Sequence, residues 1–211
     1  MKKWISLLLC LTLLLSLTAC GTGDSGETTV IATAVPAQTE PTQAESAPED
    51  GVYTVSTPDE FIEAIGSDRT IHVSGGTLDL STARSYGKDT GNEKCAWEEE
   101  YDGYQLVIHD VKNLTITGDG KVATEIATQP RYAQVLYLRS CENVALSGFT
   151  AGHTPEAGSC VGGVVYLEGC TGVSIRDVGL YGCGVIGVHT QNCRDVTVAN
   201  SDIYECSYQG V

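Results

Sequence analysis

The sequence predicts an all-β fold: a right-handed parallel β-helix, a single-stranded solenoid of about 23 residues per turn with a short N-terminal capping helix. Three observations predict it. Cys170 and Cys193, Cys183 and Cys206, and Gly187 and Gly210 are each 23 positions apart. Short runs between these positions alternate apolar and polar residues, the period of a strand with one face buried. Columns of Asn, Gly and Asp recur between the runs, and these residues tolerate the positive φ of a tight bend.

The chain begins with an address. Lys2 and Lys3 precede an apolar run over residues 4–17, which is too short to span a bilayer comfortably. The run ends in Leu17-Thr18-Ala19-Cys20, which resembles the bacterial lipobox. That resemblance implies cleavage after residue 19 and a diacylglyceryl group on Cys20. The protein is then expected on the extracytoplasmic face of the cell membrane, held by its lipid. Residues 21–50 follow, with six acidic residues, no Lys or Arg, and no apolar periodicity. With Cys20 they read as a disordered, solvated tether rich in Thr, Pro, Ala and Glu.

Residues 51–211 carry the fold. Thr57-Pro58-Asp59-Glu60 is a capping box with Pro at the first helical position. Phe61, Ile62 and Ile65 give the helix one apolar face, and Gly66 is expected to stop it. Such a helix covers the open end of the coil, which Ile71, Val73, Leu78 and Leu80 then begin.

Taking Cys193 as an anchor, the same column holds Cys170, Cys141 and Val111, with longer spacings that imply bulging loops. Two places after the anchor stand Asn113, Asn143, Gly172 and Asp195; seven places after it stand Gly118, Gly148, Asp177 and Asn200. Both columns read as left-handed bends. Between them lie alternating strands such as Val173-Ser174-Ile175. A second strand precedes each anchor, as in Val165-Tyr166-Leu167, and a third follows the second bend, over 180–183 and 203–206. Stacked parallel strands of this kind connect in the right-handed sense.

These rungs resemble the pectate-lyase-like right-handed parallel β-helix superfamily over roughly residues 51–211. The resemblance implies the fold and leaves the function open, because this scaffold hosts lyases, hydrolases, epimerases, adhesins and spacers. Val211 aligns with Val188, in mid-strand, and no C-terminal cap follows. An open β-helix end is an aggregation template, so the natural polypeptide is expected to continue past this fragment.

Composition narrows the partners. The formal net charge is −15, which repels nucleic acid and anionic lipid. A polyanionic ligand would need a local basic patch or a bridging cation. Aromatic residues make up 7% and there is one Met, so the core is expected to be aliphatic. Of the nine cysteines, Cys10 leaves with the leader and Cys20 is the lipid acceptor. Cys141, Cys170 and Cys193 share an inward column, as do Cys183 and Cys206, and both read as stacked small apolar side chains without bridges. Cys160, in a loop, pairs with Cys95 or stays free. No CxxC pair suits zinc, and no metal site is expected.

The candidate site is the outward face of the strand before each anchor. Tyr137, Tyr166 and His189 occupy one column; Arg139, Glu168 and Gln191 occupy the next, with His109 below Arg139. At a rung spacing of about 4.8 Å these form aromatic platforms beside planar hydrogen-bonding groups, the arrangement that holds sugars. Residues 82–104, with Trp97 and the acids from Glu98 to Asp102, and residues 150–163, with His153, would wall the stripe as loops. The competing reading is structural: aromatic ladders stabilise sheets by themselves, and Arg139 with Glu168 would be a surface ion pair.

The several close Asp residues and Gly-His-Gly of polygalacturonase-type hydrolases do not occur. Lyase-type elimination needs a calcium cluster and a basic residue. The run from Glu98 to Asp102 offers oxygens for calcium, although consecutive acids on a loop are usually solvated; no other cofactor is expected. Glu168, Arg139 and His189 would supply acid–base groups but match no family motif. The reading is a lipid-anchored β-helix that binds polysaccharide through the stripe. The alternatives are a polysaccharide lyase or glycoside hydrolase, or an adhesin-like spacer.

Overall fold

The computed structural model describes residues 51–153, 161–182 and 185–211. The expectations for the leader, for Cys20 and the tether, for Cys160 and for Cys183 lie outside these described residues.

The fold starts as its capping signals dictate. Strand β1 (Val52–Val55) leads into helix α1 (Pro58–Ala64), whose capping box is formed in both directions. Thr57 Oγ1 accepts from the Glu60 amide at 3.3 Å, and the Glu60 carboxylate accepts from the amides of Ser56 and Thr57 at 2.8 and 3.0 Å. The Ser56 amide, foremost among these donors, holds the Glu60 carboxyl below the usual carboxylate range. Phe61, Ile62 and Ile65 are buried. Gly66 does not stop the helix as expected: Ile65 turns extended at φ −60 and ψ 128. Side chains take the freed carbonyls instead. Arg69 donates to Ala64 O at 3.0 Å, and Asn92 to Ile62 O and Ile65 O at 2.7 and 2.9 Å.

Three sheets, parallel except at the added strand β4, form the walls of the right-handed coil. The first holds β1, β2 (Arg69–Val73), β6 (Lys112–Gly118), β9 (Glu142–Ser147), β12 (Thr171–Arg176) and β15 (Thr197–Ala199). The second holds β3 (Gly76–Asp79), β7 (Thr124–Thr128), β10 (Thr150–His153), β13 (Gly179–Tyr181) and β16 (Asp202–Ile203). The third holds β4 (Cys95–Glu100), β5 (Gly103–His109), β8 (Leu136–Arg139), β11 (Val165–Glu168) and β14 (Val188–Gln191). Registers keep like residues in columns. Ile71, Ile116, Leu146 and Ile175 stack inward in adjacent strands of the first sheet, none more than 1% exposed. Each such side chain contributes about 1.5–3 kcal/mol of burial.

The bends explain the polar columns. Asn113, Asn143, Gly172 and Asp195 all have positive φ, and the amide of Asn143 donates to Asn113 Oδ1 at 2.8 Å, a hydrogen-bonded ladder between rungs. The column just before the anchor, Asp110, Ser140, Gly169 and Asn192, also has positive φ. Gly148, Asp177 and Asn200 turn left-handed as expected, but Gly118 does not. A Cβ there would lie 2.6 Å from Gly148 O, so close backbone approach, not φ, requires this glycine.

Two expected loops contain strands. Within 82–104, β4 pairs antiparallel with β5 and covers the edge of the third sheet, whose outermost parallel strand is β5. Within 150–163, β10 continues the second sheet, and His153 is buried at 6% exposure with its ring nitrogens on Ala133 O and Gly182 O. The anchor cysteines Cys141, Cys170 and Cys193 are free, the first two fully buried. Their thiols lie on strand carbonyls, Cys170 on Leu138 O and Cys193 on Leu167 O, both at 3.3 Å. Burial pushes the free Cys95 thiol up to about 11. Cys206, expected in an unbridged ladder, is disulfide-bonded, and none of these four free cysteines is its partner. No helix of the described residues is long and apolar enough to cross a membrane.

Candidate functional site

Strands β8, β11 and β14 lie in register, so residues 29 and 23 positions apart in sequence become neighbours on one face. Tyr137 pairs with Tyr166 and Tyr166 with His189; one column on, Arg139 pairs with Glu168 and Glu168 with Gln191. Outward projection follows from alternation, since Leu136, Leu138, Val165 and Leu167 point into the core. The three rings form a continuous stack. Tyr137 and Tyr166 have centroids 4.6 Å apart at 42°, and Tyr166 and His189 are 4.8 Å apart at 24°. His109 lies in register with Arg139, but its Nδ1 is 3.0 Å from Asp110 Oδ2, so it turns to its own neighbour.

The two ends of the stripe differ. Around Tyr137 the face is closed by charge. Arg139 makes a bidentate contact with Glu98 at 2.6 and 3.0 Å, reaches Glu168 Oε2 at 2.9 Å, and donates to the Tyr137 hydroxyl at 2.7 Å. The Tyr137 hydroxyl in turn donates to Glu168 Oε2. Tyr137 is only 5% exposed. Burial, reinforced by the bond to Glu168, pushes its phenol up to about 12. The Tyr137 hydroxyl, then the Arg139 guanidinium, hold the Glu168 carboxyl below its usual range. The carboxylates and Tyr137 in turn raise Arg139, with Glu98 first. Both charges are fixed at neutral pH, the opposite of the raised carboxyl a general acid requires.

At the other end the face is open. Tyr166 is partly exposed, His189 and Gln191 are exposed, and the Tyr166 hydroxyl donates to Gln191 Oε1 at 2.6 Å. A sugar ring has room there to lie on an aromatic face beside an amide.

Sequence reasoning missed one member of this network. Glu98, expected in a loop, sits on β4, opposite Gln105, and anchors Arg139. Residue type offered no signal there, because Cys95, Ala96 and Trp97 before it are all apolar. The acidic run does not converge on one point. Glu98 faces Arg139, Glu100 accepts from the Gln105 amide at 2.7 Å, and Asp102 accepts from the amides of Arg131 and Tyr132 at 2.7 and 3.1 Å. Among the described residues no group of three or more His, Cys, Asp or Glu side chains is placed to hold a metal ion.

Searches against models of protein families and against curated proteins find no match. Among solved structures, a pectate lyase from Paenibacillus sp. 0602 is similar, with a TM-score of 0.53 and 12% sequence identity. The match covers 71% of this chain and 36% of the lyase, so the chain spans about a third of that protein's length. At this identity the likeness shows the fold: a pectate-lyase-like parallel β-helix.

Proposed function

We propose that this protein is a lipid-anchored, extracytoplasmic β-helix that binds polysaccharide through the open end of the Tyr137–Tyr166–His189 stripe. One observation carries the reading: two stacked, solvent-facing rings, Tyr166 and His189, stand beside the Gln191 amide with the hydrogen-bonding already organised. Such a platform offers a C–H-binding face and planar polar groups at small conformational cost. The fold shared with a pectate lyase supports a polysaccharide as partner. The sequence around Cys20 supports the anchor. In this reading Arg139, Glu168 and Tyr137 are the buttress that fixes Tyr166, and His109 stands outside the contact area.

The test uses affinity electrophoresis of the 211-residue chain in gels containing plant and bacterial polysaccharides. Retardation by a polysaccharide, lost in Tyr166→Ala while far-UV circular dichroism is unchanged, is the expected result. Retardation that persists in Tyr166→Ala, or its absence with every polysaccharide, refutes the stripe as the binding face. Release of unsaturated or new reducing ends from any of these polymers would instead favour an enzyme. The anchor is tested separately: Cys20→Ser moves the protein out of the detergent-soluble membrane fraction, and the intact mass of the native protein loses its lipid increment.

A further inference from the structure

The anchor column carries a different chemistry, independent of the polysaccharide reading. We propose that Cys170 and Cys193 form a linear, two-coordinate site for a soft monovalent cation, Cu(I).

Register builds the column. Thr171 pairs with Glu142 on one side and with Arg194 on the other, so the residues before them, Cys141, Cys170 and Cys193, stack rung on rung. The three side chains share one orientation. Each thiol reaches back to a strand carbonyl of the rung below: Cys141 to Ile108 O at 3.6 Å, Cys170 to Leu138 O and Cys193 to Leu167 O, both at 3.3 Å. Side chains that repeat in this way hold their sulfurs one strand spacing apart, about 4.8 Å. A disulfide instead draws its sulfurs to about 2.05 Å, and all three thiols are free in a chain that does bridge Cys206. The same separation suits an ion held between two sulfurs. Two metal–sulfur bonds of about 2.3 Å laid in line span about 4.6 Å.

The surroundings select the ion. Thiolates favour Cu(I), zinc or iron–sulfur clusters. Zinc and the clusters take four ligands, whereas a column does not converge on a point, and no group of three or more His, Cys, Asp or Glu side chains among the described residues does so. Cu(I) is satisfied by two sulfurs in line. Cys193 is half-buried and gives the ion its way in, while Cys170 behind it is fully buried and excludes water. The Cys170 amide donates to Cys193 Sγ at 3.4 Å, a contact that favours sulfur bearing negative charge. The neighbouring Cys141 thiol, against the penalty of burial, holds Cys170 down at about 7, so this sulfur ionises readily. Binding releases the two thiol protons to solvent and leaves the thiolate–Cu(I)–thiolate unit with one net negative charge. Local spacing rules miss the pair, because a rung period of 23 residues and not a CxxC motif brings it together.

Anaerobic titration of the 211-residue chain with Cu(I), in competition with the chromogenic chelator bicinchoninate, tests this. Cys170→Ala and Cys193→Ala should each lose one equivalent of bound Cu(I) relative to the parent, with far-UV circular dichroism unchanged. Cys95→Ala, which removes a free thiol outside the column, should lose none. X-ray absorption of the parent at one equivalent of Cu(I) needs no variant, and should show two sulfur neighbours in line and no nitrogen or oxygen. A stoichiometry unchanged in Cys193→Ala overturns the proposal. So does an absorption spectrum with three or more ligands, or with nitrogen or oxygen in the first shell.

Discussion

The two aromatic columns of this β-helix begin from the same geometry and end in different surfaces. In the third sheet Tyr166 has Tyr137 beneath it, so its ring stands on a ring and the column becomes a packed stack. In the second sheet Tyr181 has Gly152 beneath it, so its ring lies across the strand and contacts a carboxylate two strands away. The residue one rung below thus decides whether an outward tyrosine stands in a ladder or lies across its strand. Charge follows the same division. Around Tyr137 an arginine lies between two carboxylates and closes the face, whereas in the second sheet Lys121 pairs with Asp202.

The sharpest way to break this contrast is to put a side chain where the Tyr181 ring lies. Gly152→Val places a Cβ 2.5 Å from the Tyr181 ring and 2.7 Å from its backbone carbonyl oxygen. The ring can swing away but the carbonyl cannot, so the expected destabilisation is about 2–4 kcal/mol. It would be read as a lowered urea midpoint at unchanged slope. Gly179→Ala is the control in the same sheet. Its Cβ meets nothing closer than Thr150 Oγ1 at 3.1 Å, and its cost should stay below about 1 kcal/mol. Equal effects at the two positions would remove the steric explanation.

Next in size is the buttress of the third sheet. Arg139→Met leaves Glu98 and Glu168 facing each other without their cation, at a cost of about 1–2 kcal/mol after allowance for their partial exposure. The sign with pH is fixed by Glu168. Its folded carboxyl titrates below the usual value, so its contribution is fully present above about pH 5, where an unfolded glutamate is ionised. The contribution fades as the pH falls through the depressed folded value. The difference in urea midpoint between the variant and the parent should therefore shrink on acidification. A difference that stayed constant across this range would show that Arg139 acts through packing alone.

The coil was legible because its determinants are periodic. Every rung repeats an inward aliphatic pair and a bend residue, and Asn143, Asp195 and Asn200 announce positive φ by type alone. Tyr137, Tyr166 and His189 share a face because a 23- or 29-residue period fixes which residues meet. What escaped was aperiodic or steric. β4 occurs once, runs antiparallel and covers an edge, so no neighbouring repeat reveals it. Gly118 resembles its bend column but is required by a carbonyl in the next rung, a contact that residue type does not encode. The flat placement of the Tyr181 ring escaped because it depends on the missing side chain of Gly152. Tyr181 and Tyr204 have the same 23-residue spacing as the anchors and were readable as a pair, yet the pair says nothing about how the Tyr181 ring lies.

The smallest expected effect is the most discriminating between the two faces. Tyr166 contacts a ring on each side, while Tyr204 stacks on one ring and is 45% exposed. If Tyr166 is mainly a sheet-stabilising ladder residue, Tyr166→Ala forfeits two aromatic contacts and should cost about 1–2 kcal/mol. If its outward face is held for a ligand, Tyr137 and His189 keep their own anchors and the loss should be about 0.5 kcal/mol. Tyr204→Ala supplies the reference, because one exposed stacking contact is worth about 0.5 kcal/mol in either case. Urea midpoints of the two variants, measured side by side, decide the matter. A binding face predicts similar small shifts at both tyrosines, and a structural ladder predicts a shift at Tyr166 two or more times the size of that at Tyr204.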